Sequence, residues 1–205
     1  IKPDYAEVHN NMGSVMKDKG DLNEAIDSFK QAIQIKPDYA LAYNNMANAM
    51  KDKGDLEEAI ESYKQALRIK PDYAEVHNNL GIALKDKGDL NEAIDSFKQA
   101  IRIKPDYAAA YNNLGIALKD KGDLNEAIDN FKQAIRIKPD YAAAYYNMGV
   151  TLKDKGDLNE AIDCYKQTIR IRPDYADAYN NLGNVFKDKG DLNEAIDCYK
   201  QTIRI

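Results

Sequence analysis

The sequence predicts an all-α fold in which antiparallel helix pairs stack one after another. The first observation is a repeated phrase, KDKGDLNEA, which carries Glu57 in place of Asn in its second copy. It begins at Lys17, Lys51, Lys85, Lys119, Lys153 and Lys187, which gives a period of 34 residues. The second observation is that apolar residues in each repeat fall at helical spacing. The third is that glycine and proline punctuate every repeat. A fixed period of roughly 20–50 residues indicates an array in which each repeat covers its neighbour's apolar face.

The first half of each repeat is predicted to form one helix. In the third repeat, Val76 and Leu80 belong to an apolar set at mostly helical spacing. Asp72 is expected to cap the first turn, and Glu75 three residues later to complete a capping box. Gly88 is expected to end the helix, because glycine commonly follows a helix C-terminus.

The second half of each repeat is predicted to form another helix, which Asp89 begins in the same repeat. Glu92, three residues on, again suggests a capping box. Pro105 prevents the helix from continuing. Its apolar face is formed by Leu90, Ala93, Ile94, Phe97, Ala100, Ile101 and Ile103. Each repeat is therefore predicted to be a helix, a tight turn, a helix and a short link.

The composition narrows the classes of partner and location. The net charge of −5 argues against a nucleic acid partner, which calls for a basic surface. The longest apolar stretch, 141–146, is far too short to cross a bilayer, so we expect no membrane partner. No secretion signal is visible. Cys164 and Cys198 are 34 residues apart, and stacked helices lie about 8–10 Å apart, beyond the roughly 7 Å limit between Cα atoms of a disulfide. Free thiols are compatible with the cytoplasm.

No arrangement typical of an enzyme stands out. The sequence offers no serine–histidine–acid set, phosphate-binding loop or paired catalytic carboxylates, and every carboxylate pattern recurs with the repeat. His9 and His77 replace core aromatic residues, so packed imidazoles are expected rather than metal ligands. We therefore expect no enzymatic activity, no cofactor and no metal.

The chain resembles the tetratricopeptide repeat (TPR) family over all 205 residues. With Ala74 as position 1, the family's offsets are matched by His77, Leu80, Gly81, Leu84, Ala93, Phe97, Ala100 and Pro105. The resemblance implies a right-handed superhelical solenoid of antiparallel helix pairs. We expect a single array over 1–205, with 1–5 as the tail of a preceding repeat. The repeats are 6–39, 40–73, 74–107, 108–141, 142–175 and a truncated 176–205. Positions within every repeat are numbered this way below.

The resemblance also indicates which surface is free to bind. In this family the first helices line the concave wall of the superhelix. A helical wheel places positions 2, 6, 9 and 13 on the side away from the core, flanked by 5 and 12. Position 6 is always Asn: Asn11, Asn45, Asn79, Asn113, Asn147 and Asn181. Position 5 is Asn in five repeats, including Asn78 and Asn112, and is Tyr146 in the fifth. Lys at position 12 and Asp at position 13 recur in every repeat and are expected to pair between repeats.

These asparagines are the candidate peptide-binding residues. An amide side chain both donates and accepts hydrogen bonds, so a row of them suits the main chain of an extended protein or peptide partner. The run YNNLGN and the position-6 Asn most resemble the repeats of O-linked N-acetylglucosamine transferases, where the equivalent ladder holds substrate or partner peptides. The transferase's catalytic domain has no counterpart here, so the resemblance implies the binding arm alone. The alternative is that recent duplication copied the asparagines without any binding role.

Position 9 suggests an apolar floor for the same groove. Ile82, Ile116 and Val150 occupy it in repeats three to five, and clustered exposed aliphatic residues often mark a partner surface. Neutral drift on a helix face is the competing explanation.

Two other functions remain open from the sequence. Tyr5 at one end and Ile203 and Ile205 at the other could meet in a head-to-tail stack of copies, which does not close and so forms filaments. The same ends would also result from cutting a longer array. A third hypothesis is a consensus-like engineered scaffold with no native ligand, and the uneven use of Cys, Met and His argues against it.

Overall fold

The computed structural model describes residues 5–205, and within that range it contains twelve α-helices and no strand. The helices of the first half are α1 (Tyr5–Lys19), α2 (Leu22–Ile35), α3 (Ala40–Lys53), α4 (Leu56–Ile69), α5 (Ala74–Lys87) and α6 (Leu90–Ile103). Those of the second half are α7 (Ala108–Lys121), α8 (Leu124–Ile137), α9 (Ala142–Lys155), α10 (Leu158–Ile171), α11 (Ala176–Lys189) and α12 (Leu192–Arg204). The all-α helical-repeat fold is confirmed. The assignment of a single array with the repeat boundaries above stays a prediction.

The helices form two compact units, with unit 1 ending at Pro105 and unit 2 running from Asp106 to Ile205. In unit 1, each helix packs on the next along the chain, from α1 to α6, and successive first helices (α1, α3, α5) also touch. Ala25, Ile26 and Phe29 of α2 meet Met46 and Ala49 of α3 in a buried cluster. The core of this unit therefore passes from one repeat into the next.

Unit 2 is built in the same way from α7 to α12. Its buried cluster includes Ile128 of α8, Leu152 of α9, Tyr165 of α10 and Val185 of α11. The first helices α7, α9 and α11 touch in sequence, so positions 5, 6 and 9 of neighbouring repeats lie side by side.

Glycine at position 8 permits close packing of the two helices in a repeat. A Cβ atom at Gly115 would lie 2.6 Å from Cε1 of Phe131, and one at Gly81 would lie 2.6 Å from Cε1 of Phe97. Real Cβ atoms do not approach ring carbons so closely, which explains a glycine inside a helix despite its poor helix propensity.

A second glycine ends each first helix. Gly88 adopts φ +98°, and its N–H donates to the carbonyl oxygen of Lys85 at 3.0 Å. The N–H of Asp89 then donates to the carbonyl oxygen of Leu84 at 2.9 Å. This left-handed conformation, which glycine adopts without strain, closes the helix as the sequence predicted.

The predicted capping boxes are wrong. Tyr73, not Asp72, precedes α5, and no side chain caps that helix. Asp89 does precede α6, but its side chain makes no capping hydrogen bond either. Its carboxylate instead lies 3.2 Å from Nζ of Lys87, so the ion pair across the glycine turn takes the group that would have capped the helix. The equivalent pairs are Lys19–Asp21, Lys53–Asp55, Lys121–Asp123, Lys155–Asp157 and Lys189–Asp191.

Candidate peptide-binding surface

Position-6 asparagines are joined to the preceding repeat by hydrogen bonds. In four repeats Nδ2 donates to the position-5 side chain one repeat earlier. The bonds in unit 1 are Asn45 to Oδ1 of Asn10 at 3.1 Å and Asn79 to Oδ1 of Asn44 at 3.2 Å. Those in unit 2 are Asn147 to Oδ1 of Asn112 at 3.0 Å and Asn181 to the hydroxyl of Tyr146 at 3.0 Å. Within each unit, the predicted ladder is therefore also a connection between repeats.

Four of the five position-5 asparagines are buried, Asn78 and Asn112 among them, whereas Asn180 is exposed. Asn78 and Asn112 are only 5% and 4% exposed. Within unit 2, Asn112 meets Asn147 on the first helix of the next repeat. Asn78 and Asn112 are both much less exposed than the helical wheel predicted, and their role as peptide contacts stays a prediction. Tyr146 at the same position is half-buried.

The position-6 side chains keep part of their hydrogen-bonding capacity. Asn45, Asn79, Asn113, Asn147 and Asn181 are half-buried, and Asn11 is exposed. Oδ1 of Asn45 accepts from Asn44, and Oδ1 of Asn113 accepts from Asn112. Among residues 5–205, no hydrogen bond reaches Oδ1 of Asn79, Asn147 or Asn181. A carbonyl acceptor therefore remains at each of these three positions.

Position 9 carries a half-buried aliphatic side chain in three repeats. Ile82 lies in unit 1, whereas Ile116 and Val150 lie in unit 2 on the touching helices α7 and α9. Val150 packs partly against the buried cluster of its unit. Unit 2 thus combines two aliphatic side chains with position-6 amides.

Position 9 is also linked to position 24, which the sequence analysis missed. In the second repeat the hydroxyl of Tyr63 donates to Oδ1 of Asn48 at 2.6 Å, and in the sixth Tyr199 donates to Asn184 at 2.9 Å. The signal was present in the sequence, because Asn occurs at position 9 only in repeats that have Tyr at position 24.

Unit 2 contains an aromatic group around Tyr146. Its ring stacks on that of Tyr175, with centroids 5.0 Å apart and planes inclined by 22°, and lies 6.0 Å from the ring of Tyr165. The guanidinium group of Arg172 lies over the ring of Tyr175, with Cζ 3.9 Å from the ring centroid. Burial, and then the nearby charge of Asp177, raise the pKa of Tyr146, so its hydroxyl is neutral at physiological pH.

Two terminal helices present apolar side chains to solvent. The predicted self-assembly residues Tyr5, Ile203 and Ile205 are 60%, 85% and 55% exposed. Further exposed apolar residues, not predicted from the sequence, are Val8, Met12 and Val15 on α1 and Leu192 and Ile196 on α12. The one-repeat equivalents of the α1 residues, Ala42, Met46 and Ala49, are buried within unit 1. The sequence contained the signal for these exposed residues, because Val8, Met12 and Val15 occupy positions 3, 7 and 10, which belong to the buried face of a first helix.

The described residues do not form a cluster of side chains of the kind that binds a metal ion. No group of three or more His, Cys, Asp or Glu residues is placed to hold an ion between residues 5 and 205. The Nε2–H of His77 donates to the carbonyl oxygen of Pro71 at 2.9 Å. Cys164 is buried, Cys198 is half-buried, and both are free thiols. None of the described helices is both long enough and apolar enough to span a bilayer.

Solved structures with the same fold include proteins of several kinds. A crystal structure of MamA is 33% identical with a TM-score of 0.72, and the match covers 78% of this chain and 93% of MamA. YrrB, described as a TPR protein with an unusual peptide-binding site, is 25% identical with a TM-score of 0.68, covering 86% of this chain and 91% of YrrB. PilW, a type IV pilus biogenesis factor, is 24% identical with a TM-score of 0.87, covering 96% and 91%. The PilW likeness shows the fold alone.

The family comparison covers nearly the whole sequence. No curated protein sequence matches the chain. The family model for the C-terminal domain of cilia and flagella-associated protein 70, a TPR domain, matches residues 5–205. With the helix pairs, the glycine turns and the 34-residue period, this match shows that the chain belongs to that tetratricopeptide repeat family.

Proposed function

We propose that the chain is a non-catalytic interaction scaffold that binds an extended peptide segment along its first helices. The observation that carries the proposal is the row of half-buried position-6 amides, whose Oδ1 atoms at Asn79, Asn147 and Asn181 accept no hydrogen bond among residues 5–205. The likeness to YrrB, described as a TPR protein with an unusual peptide-binding site, supports it. The free thiols Cys164 and Cys198 fit the reducing cytoplasm, which we propose as its location.

The bonds between repeats prepare these amides for binding. Because Nδ2 of Asn147 is held by Asn112, the side chain is fixed before a partner arrives, and less rotamer freedom is lost on binding. Equivalent positions in stacked helices recur at about 10 Å, and an extended strand advances about 3.3 Å per residue. Successive amides would therefore accept N–H groups that are about three peptide residues apart. This use of the row is the one implied by the resemblance to the transferase arm.

Apolar side chains of the partner are expected to prefer unit 2. Ile116 and Val150 lie there on touching helices, whereas position 9 in the first two repeats of unit 1 is Ser14 and Asn48. We propose Ile82 as the corresponding contact in unit 1.

The test begins with random 12-residue peptides displayed on phage and selected against the full chain. Binding of a selected, fluorescently labelled peptide is then measured by anisotropy. We expect the triple variant Ile82→Ser, Ile116→Ser and Val150→Ser to weaken binding at least tenfold. The matched control is Asn125→Ala, on the exposed side of a second helix, which should leave the affinity within twofold.

Two results would count against the proposal. One is a selection that yields no peptide with measurable affinity. The other is equal affinity of the triple variant and the control for every selected peptide.

Self-assembly is a second candidate function, favoured by the exposed apolar faces of α1 and α12. Inside unit 1, Ile26 of α2 packs with Met46 of α3. Ile196 and Met12 are the corresponding residues at the two ends, and both are exposed. A second copy docking head to tail would rebuild the internal contact with the same residue types. This assembly would not close.

Light scattering across protein concentrations tests the second candidate. Self-assembly requires the average mass to rise with concentration and to fall back to one chain in Ile196→Lys. Ile35→Lys, at another exposed isoleucine, is the control. A constant single-chain mass at all concentrations would eliminate this function and leave peptide binding untouched.

A further inference from the structure

A hydroxyl at position 24 and an amide at position 6 converge on one acceptor in unit 1. The hydroxyl of Tyr63 donates to Oδ1 of Asn48 at 2.6 Å. Nδ2 of Asn79, from the next repeat, lies 3.5 Å from the same oxygen atom. The carbonyl group of Asn48 therefore occupies a small polar subsite formed by two repeats.

Unit 2 repeats the two donors and lacks the acceptor. Tyr165 in the fifth repeat corresponds to Tyr63, and Asn181 in the sixth corresponds to Asn79. Position 9 of the fifth repeat is Val150, which has no polar atom. Tyr165 is completely buried, and its hydroxyl has no hydrogen-bond partner among the described residues.

An unpaired hydroxyl in a core is costly, because it loses its hydrogen bonds to water and gains none in return. Phenylalanine would avoid that cost, and the chain uses it at position 24 in three repeats: Phe29, Phe97 and Phe131. Each of these repeats has Ser or Ile at position 9. Tyr165 is thus the only position-24 tyrosine of the chain without an Asn at position 9 to accept a hydrogen bond from its hydroxyl.

We propose that Tyr165 and Asn181 form a subsite for a carbonyl oxygen of the bound peptide, which takes the place that Oδ1 of Asn48 fills in the second repeat. The inference rests on the proposed peptide-binding function and names one of its specificity contacts. Tyr165 would be the principal donor, and Asn181, now donating to the hydroxyl of Tyr146, the second.

The surroundings of the hydroxyl favour a neutral acceptor. The ring of Tyr146 lies near that of Tyr165, with centroids 6.0 Å apart, and the nearby negative charge of Asp154 would repel an anionic group. Burial raises the pKa of Tyr165, followed by the effects of Tyr146, Asp154 and Cys164, so the hydroxyl remains a donor. Val150 and Tyr146 are both half-buried, and a rotamer change of either, which is common at interfaces, would admit the peptide.

Two variants test the subsite in the full chain. Tyr165→Phe removes the donor, and Val150→Asn supplies the internal acceptor that the second and sixth repeats already have. The probe is a phage-selected 12-residue peptide whose affinity falls in Ile116→Ser. We expect each of the two variants to weaken its binding about 3- to 10-fold, as expected for a neutral hydrogen bond, while the midpoint of thermal unfolding stays the same or rises.

Tyr63→Phe is the matched control, because its hydroxyl is already bound to Asn48 within the chain. It should lower the unfolding midpoint and leave the affinity of the same peptide unchanged. Alanine at each Asn and Gln of the peptide identifies the source of the carbonyl. If one such change abolishes the effect of Tyr165→Phe, the acceptor is that side chain; if none does, it is the peptide main chain.

The inference fails separately from the proposed function. A peptide that binds Tyr165→Phe and Val150→Asn as tightly as the original chain overturns the subsite and leaves peptide binding standing. A lower unfolding midpoint for Tyr165→Phe also overturns it, since the hydroxyl would then have a partner in the free protein. If no selected peptide depends on Ile116, no peptide reaches the subsite and the inference fails, whereas the proposed function stands as long as a selected peptide depends on Ile82.

Discussion

At the residue scale, side-chain volume at position 8 sets how closely the two helices of a repeat approach. Gly115 faces the ring of Phe131, and Gly149 faces that of Tyr165. The second repeat has Ala47 at this position, completely buried, so one additional methyl group is compatible with the fold there. A larger side chain has no space without displacing the aromatic ring.

Gly115→Val should therefore destabilise the chain by about 1–3 kcal/mol through overpacking. Urea unfolding followed by circular dichroism measures the change. Ile116→Val, at the next residue but half-buried, is the control and should shift the stability by less than about 0.5 kcal/mol. Equal effects of the two variants would show that the helices can separate without penalty.

The two thiols give a second prediction at this scale, concerning reactivity. Burial raises the pKa of Cys164 to about 12, and burial also raises that of Cys198. Because the thiolate is the reactive form, both should react more slowly with Ellman's reagent at pH 8 than a free cysteine does. Cys198, which is only half-buried, should react before Cys164. Rapid reaction of Cys164 in the folded chain would contradict its position in the core.

At the scale of helices, the position-6 amide connects successive first helices. Asn112 is almost completely buried, and Nδ2 of Asn147 is the donor that reaches its Oδ1. Asn is up to roughly 0.7 kcal/mol worse than Ala inside a helix, so this bond offsets an intrinsic penalty. The Lys at position 12 and the Asp at position 13 connect neighbouring repeats in only some cases. Lys17 reaches Asp52 of the next repeat at 3.0 Å, whereas Lys85 and Lys119 pair with the adjacent Asp86 and Asp120.

Asn147→Ala should cost about 1–3 kcal/mol, because it leaves a buried carbonyl of Asn112 without this donor. The comparison is Asn125→Ala, an exposed asparagine, where the better helix propensity of alanine should make the change neutral or slightly stabilising. Chemical unfolding distinguishes the two. A neutral Asn147→Ala would mean that the amide is held for binding alone.

The ends of the helices could be predicted from the sequence, whereas the polar contacts between helices could not. The 34-residue period, the glycine turn at Gly88 and the proline at Pro105 are local signals, and they fixed where helices end. The burial of Asn112 depends on the neighbouring first helix α9, which a helical wheel of one helix does not contain. The pairing of Tyr63 with Asn48 joins positions 15 residues apart, and so becomes evident only when the two helices are packed together.

At the scale of the molecule, stability is expected to vary along the chain, since a stacked array is held by neighbour contacts. Helix α10 buries five residues, including Ile162 and Tyr165, whereas α12 buries only Ala195. Hydrogen exchange at low protein concentration should therefore be at least tenfold faster in α12 than in α10. Uniform protection of the two helices would contradict this. Protection of α12 that grows with concentration would instead support head-to-tail assembly.

The amide row also gives every junction within a unit the same polarity, with the later repeat donating and the earlier one accepting. A block gained or lost by recombination between copies would leave each new junction correctly matched. The substitution at Tyr146 keeps this compatibility, because its hydroxyl still accepts from Asn181. Such a gene is able to change the length of its product in whole blocks, with no compensating mutation needed where the blocks join.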